Sequence, residues 1–334
     1  MTLSHTGSKT ICCVAAACLA GACTFGGTAA RVYVTSELTG MVSIIDTRTD
    51  DVVGTIPTRA RARGVRLGPG GHRAYIGVAP SLVAAPASSP RSGIDILDTR
   101  EGRWLAERQG GTNTQQFDLD PEGRLLYVVD DGANVLRVWE IGTGNELGAV
   151  PVAPESEAVA ASPDGTKIYV ASEAEGVITV VDAATRRAAS TIAVGGRPRG
   201  IRFSRDGSRA FVSLEDGRAI AVVDVAGSRV GQRIPLDAPG FRPVGLALAP
   251  DEHELYVGGG RSRLVGVVDL QRQALVATIG VGERPWHLAL TPDGRKLYVA
   301  NGPSDDVSVI DVTARRVVRT IRIAGRPWGI AVGP

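Results

Sequence analysis

Histidine, cysteine and aromatic side chains are scarce in this chain of 334 residues. It contains four histidines and four cysteines, and Phe, Trp and Tyr together make up 4% of it. The sequence therefore shows no typical His-rich metal site and no Ser-His-Asp arrangement. It also lacks a Cys-x-x-Cys-His motif, a P-loop and a Gly-x-Gly-x-x-Gly after a strand, which excludes the common haem-attachment and nucleotide-binding motifs. We expect no resident cofactor and no metal site, while an all-carboxylate calcium site stays open.

A surplus of either charge is lacking as well. Lys and Arg total 37 against 35 for Asp and Glu, which gives a formal net charge of +2. A nucleic-acid-binding protein normally carries a clear basic surplus, so we expect no nucleic-acid partner. The hydrophobic content of 43% is enough for a sizeable core and argues against wholesale disorder.

The first 30 residues differ from the rest of the chain. An uncharged run from Ile11 to Ala22 is too short to span a bilayer as a helix but is typical of the apolar region of a signal peptide. We predict a signal peptide at residues 1–22, a short linker at 23–30, and a product in the periplasm or cell envelope. The cysteines all fall in this region, so we expect no disulfide in the exported chain. They are Cys12, Cys13, Cys18 and Cys23.

Two maturation routes fit this leader. The segment from Leu19 to Cys23 (LAGAC) resembles a bacterial lipoprotein signal, with lipidation at Cys23, although its Leu lies one residue farther from the Cys than usual. Cleavage near Ala30 would instead release a soluble product.

Labelling with a lipid probe followed by fractionation separates the two routes. The lipoprotein route predicts a labelled protein in the membrane fraction and loss of both label and membrane association in Cys23→Ser, because the thiol carries the lipid. The second route predicts an unlabelled soluble protein whose first residue lies near Ala30.

One aromatic residue recurs along the chain at the start of a strand-like segment. Successive members of this series are 42, 52, 42, 42, 45 and 42 residues apart, and an acidic residue follows each by 13 residues, or by 23 in the second unit. The aromatic series is Tyr33, Tyr75, Tyr127, Tyr169, Phe211, Tyr256 and Tyr298, and the acidic series is Asp46, Asp98, Glu140, Asp182, Asp224, Asp269 and Asp311. Two markers that keep register over seven cycles indicate a sevenfold internal repeat.

Each unit of about 42 residues reads as four short strands. An alternating β-branched run such as 307–311 (VSVID) ends at the acid, which suits an Asx turn, and a turn such as 162–165 (SPDG) precedes the next aromatic. We predict an all-β fold, a seven-bladed β-propeller at residues 31–334 with four antiparallel strands per blade. The sequence stops on a fourth-type strand at 329–332, so we expect this C-terminal strand to join the first blade and close the ring.

Four segments carry a resemblance to a known family. They are 197–200 (RPRG), 241–245 (FRPVG), 301–307 (NGPSDDV) and 326–329 (RPWG). With the repeat, they resemble the YVTN family of β-propeller repeat proteins over residues 31–334, and within it the propeller proteins associated with pyrroloquinoline-quinone (PQQ)-dependent alcohol catabolism. The resemblance implies an exported partner of a quinoprotein dehydrogenase and supplies no established catalytic residues.

Arginine recurs in the loop that precedes the fourth-type strand. In a propeller this loop shares a face with the loop between the first two strands of a blade. The loop arginines are Arg61, Arg197, Arg242, Arg284 and Arg326, with Asn113 and Glu155 in the two remaining units. Arg199, Trp286 and Trp328 lie two positions farther on, and His287 adjoins Trp286. We predict that this loop-arginine face binds a protein partner or a small anionic ligand, because Arg offers bidentate contacts to carboxylates and phosphates.

A structural role fits the same residues equally well. Acidic residues in the neighbouring loops can pair with the arginines and tie adjacent blades together, and the two tryptophans can pack between blades. The acids are Glu37, Asp130, Asp131, Glu173, Glu215, Asp305 and Asp306. Arg66, Asp118 and Arg202 fall in the middle of fourth-type strands, where they can line the central channel as an ion-paired set or lie near a small anion or a water column.

Three functions fit the sequence. We favour a monomeric, non-catalytic exported accessory protein that supports a periplasmic quinoprotein (PQQ-dependent) oxidation system through the loop-arginine face, with membrane contact only through a lipid anchor. A lactonase-like propeller hydrolase is the first alternative, for which Glu155, Glu157 and His287 are the nearby candidate groups. A cell-surface adhesion or scaffold protein is the second.

Overall fold

A computed structural model describes residues 30–80, 92–111 and 114–333, except for the side chains of Gln109 and Gln115. The predicted signal peptide, the lipidation residue Cys23, the linker up to residue 29 and Asn113 therefore lie outside the described residues. No helix in the described ranges is long and apolar enough to cross a membrane.

Seven four-stranded antiparallel sheets form a ring in the described residues. Blade 1 contains β1 (Arg31–Ser36), β2 (Met41–Asp46), β3 (Asp51–Pro57) and the last strand, β28 (Pro327–Gly333). Blade 2 contains β4 (Arg61–Leu67), β5 (Arg73–Ala79), β6 (Gly93–Asp98) and β7 (Arg103–Gln109), and blade 3 contains β8 (Thr114–Leu119), β9 (Leu125–Asp130), β10 (Val135–Glu140) and β11 (Glu146–Pro151).

The remaining four blades repeat the same order. Blade 4 contains β12 (Ser156–Ala161), β13 (Lys167–Ser172), β14 (Val177–Asp182) and β15 (Arg187–Ala193), and blade 5 contains β16 (Pro198–Phe203), β17 (Arg209–Leu214), β18 (Ala219–Asp224) and β19 (Arg229–Pro235). Blade 6 contains β20 (Leu246–Leu248), β21 (Glu254–Gly258), β22 (Leu264–Asp269) and β23 (Ala274–Gly280), and blade 7 contains β24 (Pro285–Leu290), β25 (Lys296–Asn301), β26 (Asp306–Asp311) and β27 (Arg316–Arg322). The predicted seven-bladed propeller is confirmed.

The last strand closes the ring as predicted. β28 pairs antiparallel with β1, and the register places Ala331 opposite Tyr33 and Ile330 opposite Val34. Blade 1 is thus built from both ends of the described chain, and its innermost strand comes from the C-terminal side.

The hydrophobic core lies between neighbouring blades. Tyr33 and Ile44 of blade 1 pack with Val65 and Ile76 of blade 2 on one side of the sheet. The other side packs against blade 7, where Tyr298 contributes to the cluster. All seven repeated aromatics are at most 2% exposed, because successive side chains of a strand point to opposite faces and both faces are covered here.

The repeated aspartates close the hairpin turns as predicted. The Asp98 carboxylate accepts hydrogen bonds from the backbone N–H groups of Arg100 (2.9 Å) and Glu101 (3.0 Å). Asp269 does the same for Gln271 and Arg272. Such Asx turns fix the hairpin between the third and fourth strands outward from the axis.

A buried polar contact joins blade 7 to blade 1, the blade in which the ring closes. Lys296, at the start of β25, donates through Nζ to Asp50 Oδ2 (2.8 Å) and to the backbone carbonyl of Thr47 (2.8 Å) in the hairpin of blade 1. The Tyr298 hydroxyl also donates to the Asp50 carboxylate. Asp50 is 8% exposed, so these partners replace the water it loses on folding.

Asp50→Asn should weaken this junction. Asn tolerates the left-handed backbone of position 50 (φ 57°), but it carries no charge and so cannot form the ion pair with Lys296. We expect urea unfolding to show a loss of about 1–3 kcal/mol in the free energy of unfolding.

Ser228→Asn is the matched control. Ser228 holds the equivalent hairpin position in blade 5 (φ 48°). Its free energy of unfolding should stay within about 0.5 kcal/mol of the parent. An equal loss in both variants would mean that the turn, and not the ion pair, is the sensitive feature.

Candidate functional site

The loops that carry the arginines lie on one face, as predicted. In three blades the residue at the arginine register accepts a hydrogen bond from the loop after the first aromatic strand of the same blade. The pairs, donor first, are Glu37 N to Arg326 O, Glu173 N to Glu155 O and Glu215 N to Arg197 O, at 2.9–3.0 Å. Three of these loop residues, with Arg284, have left-handed backbone: Glu155 (φ 49°), Arg197 (58°), Arg284 (53°) and Arg326 (57°).

Most of the loop arginines pair with an acid of the preceding blade. Arg61 and Arg63 both reach Glu37, with Arg63 Nη2 at 2.8 Å from Oε1. Arg197 Nε lies 2.7 Å from Glu173 Oε2. Arg242 Nη1 lies 2.6 Å from Asp216 Oδ1. For these loop arginines the structural interpretation of the sequence is confirmed.

Arg199 is the centre of a larger ionic network. Its guanidinium contacts Glu157 and Glu173 of blade 4, and its Nε lies 2.7 Å from Oε2 of Glu215 in its own blade. Burial would raise the pKa of Glu215, but Arg199, together with the charges of Arg197 and Arg261, outweighs burial and holds the pKa below its usual value. The balance is the same at Glu37, where burial is outweighed by Arg63 and Arg61.

Arg284 and Arg326 are exceptions. Both side chains are exposed, and neither guanidinium group has a carboxylate within ion-pairing distance among the residues that the structure describes. The Asp305 carboxylate instead accepts from the backbone N–H of Arg326 at 2.8 Å. The difference comes from the residue four positions after the repeated aromatic of the preceding blade. In three blades this residue is a glutamate (Glu37, Glu173 or Glu215) that pairs with an arginine. At that register blade 6 has Gly260 and blade 7 has Gly302, so the carboxylate is missing.

A pocket of about 390 Å³ opens beside these two arginines, and we call it the mouth pocket. Its lining consists of Glu37, Arg63, Glu157, Arg199, Arg284, Trp286, Gly302, Pro303, Arg326, Pro327 and Trp328. Four arginines against two glutamates give this lining a formal charge of +2. The predicted residues Arg284, Arg326, Arg199, Trp286 and Trp328 therefore meet in one concave site, whereas Arg61, Arg197 and Arg242 do not line it.

Both tryptophans of the mouth pocket lie under guanidinium groups. The Arg284 guanidinium carbon is 4.8 Å from the centre of the Trp286 ring, and that of Arg199 is 5.4 Å from it. Arg63 lies 5.5 Å from the Trp328 ring. These cation–π contacts orient the arginines without neutralising them.

His287 lies below the mouth pocket, in the channel on the ring axis. Its Nδ1 is 3.0 Å from the backbone carbonyl of Trp328, and its Nε2 is 3.0 Å from the side-chain nitrogen of Gln116 in blade 3. Nδ1 therefore carries the proton, and Nε2 accepts from Gln116. The sequence suggested a surface position beside Trp286, but His287 is one residue farther along the inner strand β24 and points toward the axis.

Neighbouring blades approach each other closely at two inner glycines. A side chain at Gly329 would place its Cβ 2.3 Å from the carbonyl oxygen of Arg63, and one at Gly245 would place it 2.1 Å from that of Trp286. At these two positions the backbones of neighbouring blades come so close that only glycine fits.

The candidate groups for a hydrolase do not assemble. Glu157 lines the mouth pocket and pairs with Arg199, Glu155 is exposed outside it, and His287 is occupied in the channel. Within the described ranges, no three side chains of His, Cys, Asp or Glu come together as metal ligands.

Comparisons with known proteins bear on the fold. No protein-family model matches the chain, and a search of curated proteins found no match. Among solved structures, the chain is similar to hydrazine synthase of Kuenenia stuttgartiensis, at 22% identity and a TM-score of 0.70 over 81% of this chain and 89% of that one. A functionally unknown protein from Desulfotomaculum acetoxidans DSM 771 matches at 16% identity and a TM-score of 0.77 over 90% and 98%.

A third solved structure is that of the dihydro-heme d1 dehydrogenase NirN in complex with DHE. It matches at 17% identity and a TM-score of 0.65, over 87% of this chain and 63% of that one. At these identities the three structures show the propeller fold and carry no activity over to this chain.

The missing carboxylates of blades 6 and 7 are the feature that our sequence reasoning overlooked. The sequence does contain the signal: glycine replaces glutamate at one register of the repeat, at Gly260 and Gly302. Its meaning depends on knowing that an arginine pairs with the preceding blade, which the spacing alone does not reveal.

The burial of His287 should make stability depend on pH. The pKa of His287 is lowered to about 3, chiefly because the side chain is buried. The positive charge of Arg66 also lowers this pKa, and its effect is larger than the opposite effect of the hydrogen bond with the Trp328 carbonyl. Because the folded pKa lies below the usual 6.5, the stabilisation is complete above pH 6.5 and is lost progressively as the pH falls toward 3. We expect the free energy of unfolding to fall between pH 6.5 and about 5, above the range in which Glu37 and Glu215 titrate.

Urea unfolding of the parent and of His287→Gln at several pH values tests this assignment. The variant should lack the decrease between pH 6.5 and about 5, because glutamine does not titrate. A decrease that persists in the variant would assign it to other groups.

Proposed function

We propose that this chain is an exported, non-catalytic binding protein that captures a carboxylate-bearing group at the mouth pocket. The observation that carries the proposal is the unneutralised pair Arg284 and Arg326. They flank a concave site in a molecule that pairs its other three loop arginines with acids.

The chemistry of the pocket favours an anion. Guanidinium groups bind carboxylates through two parallel hydrogen bonds, and both of these groups are exposed. The volume of about 390 Å³ lies within the usual range for ligand sites. Trp286 and Trp328 add apolar surface beside the charges, a combination that recurs at binding hot spots.

The resemblance described above suggests where such a protein works. We propose that it acts as a monomer in the periplasm or at the cell envelope, beside a PQQ-dependent quinoprotein oxidation system. The carboxylate group would belong to an acidic segment of a partner protein, or to a small anion that the oxidation system handles.

Affinity capture from periplasmic extract tests this function. The parent should recover a quinoprotein dehydrogenase, identified by mass spectrometry, and Arg284→Glu/Arg326→Glu should lose it because both cationic contacts become repulsive. Gly302→Glu is an independent variant. A Cβ at position 302 has its nearest neighbour at 3.6 Å, so the backbone accepts a side chain that supplies the missing carboxylate to Arg326.

Arg187→Glu/Arg233→Glu is the matched control, since both residues are exposed on the outer strands β15 and β19. It should recover the dehydrogenase like the parent. Equal recovery by all variants would remove the mouth pocket from the function. Recovery of no dehydrogenase, together with a change in Trp fluorescence when a small dicarboxylate is added to the parent but not to the Arg284/Arg326 variant, would identify the small-anion form of the proposal.

A further inference from the structure

A second, smaller cavity lies on the ring axis, and we call it the channel cavity. Its volume is about 40 Å³, and its polar lining includes Arg66, Gln116, Arg202 and His287. Arg199 and Trp286 line both this cavity and the mouth pocket, so the two adjoin.

The charges around the channel cavity do not balance. Arg66 lies 3.5 Å from Asp118, which is the one carboxylate that the described residues place beside these two arginines. Arg202 donates through Nε to the backbone carbonyl of Leu246 at 3.1 Å. Burial and the charge of Arg66 lower the pKa of Arg202 to about 10, so it stays protonated at neutral pH, whereas His287 stays neutral. Arg199, which also lines the cavity, is already paired with glutamates in its own network. Apart from that network, Arg66 and Arg202 against Asp118 leave a formal charge of +1.

Hydrogen-bond donors are also in excess here. Asp118 already accepts from the backbone N–H of Ala161, and His287 Nε2 is occupied by Gln116. Arg66 Nη1 donates to the backbone carbonyl of Val65 at 3.1 Å, and Arg66 Nε faces Asp118 Oδ1 at 3.5 Å but is buried without forming a hydrogen bond in the described part of the chain. An uncompensated cation and an unused donor in a confined site are costly unless an acceptor of opposite charge joins them.

The fold does not require arginine at these positions. Arg66, Asp118 and Arg202 share one register of the inner strands, five residues after the loop-arginine position. The other four blades have alanine there: Ala160, Ala247, Ala289 and Ala331. The charged side chains are therefore additions to a scaffold that closes without them.

We propose that the channel cavity binds one small monovalent anion of halide size between Arg66 and Arg202. The volume admits a species of about one to three non-hydrogen atoms. A single negative charge neutralises the excess, and an ion that only accepts hydrogen bonds matches the free donors. This anion site is separate from the binding site proposed at the mouth pocket, because its ligand is inorganic and lies deeper in the ring.

Bromide provides a direct probe. Crystals of the full chain soaked in sodium bromide should show an anomalous peak in the channel cavity, in contact with the Arg66 and Arg202 guanidinium groups. In solution, sodium chloride or bromide should raise the melting temperature above that in sodium gluconate at the same ionic strength, because gluconate is too large to enter.

Two variants make the test specific. Arg202→Ala introduces the residue that four blades already carry, and it should raise the halide concentration for half-maximal stabilisation by about tenfold or more. Asp118→Asn keeps an acceptor for Ala161 but removes the competing charge, so it should lower that concentration.

The result that overturns the proposal is clear-cut. Bromide peaks confined to the protein surface, with equal melting temperatures in halide and gluconate, would show that water alone fills the channel cavity. An Arg202→Ala variant that responds to halide like the parent would likewise exclude the site. Neither result bears on the mouth pocket, whose test is partner or carboxylate binding.

Discussion

The antiparallel pairing of β28 with β1 is the constraint on which the rest of the molecule depends. Without it, blade 1 would expose the backbone edge of β1, and blade 7 would lack a neighbour for its apolar face. Closure also fixes how close the inner strands come to one another. Neighbouring blades meet backbone to backbone at Gly245 and Gly329, and the channel cavity of about 40 Å³ adjoins the mouth pocket of about 390 Å³. Both candidate sites are products of this geometry.

The charged residues do not follow the sevenfold symmetry of the scaffold. Most of the loop arginines pair with an acid of the preceding blade, as in Arg61–Glu37 and Arg197–Glu173. Partly buried ion pairs of this kind add little net stability, because the cost of desolvating the charges offsets their attraction. The series is interrupted at Gly260 and Gly302, which are in neighbouring blades, so the two unneutralised arginines flank the same pocket. A cationic site thus arises in a chain whose formal net charge is only +2.

Local rules were enough to predict the elements of this fold. The seven aromatics are buried, and the repeated aspartates cap hairpins, because strand alternation and Asx turns act over a few residues. The pairing of the arginines could not be predicted in the same way. Arg199 has three possible acids within reach and contacts all of them, while the Arg326 guanidinium pairs with no carboxylate among the described residues. Such contacts depend on side-chain reach across a blade boundary.

The sequence by itself determined the number of blades, the strand order and the closure, since the register of a sevenfold repeat admits few other arrangements. It also identified Arg284, Arg326, Trp286 and Trp328 as members of one face. Only the tertiary structure decided which arginines are neutralised, and it moved His287 from that face into the channel beside Gln116, 171 positions away in the chain. The physical reason is that the repeat encodes interactions within a blade, whereas charge balance is set between blades that are distant in sequence.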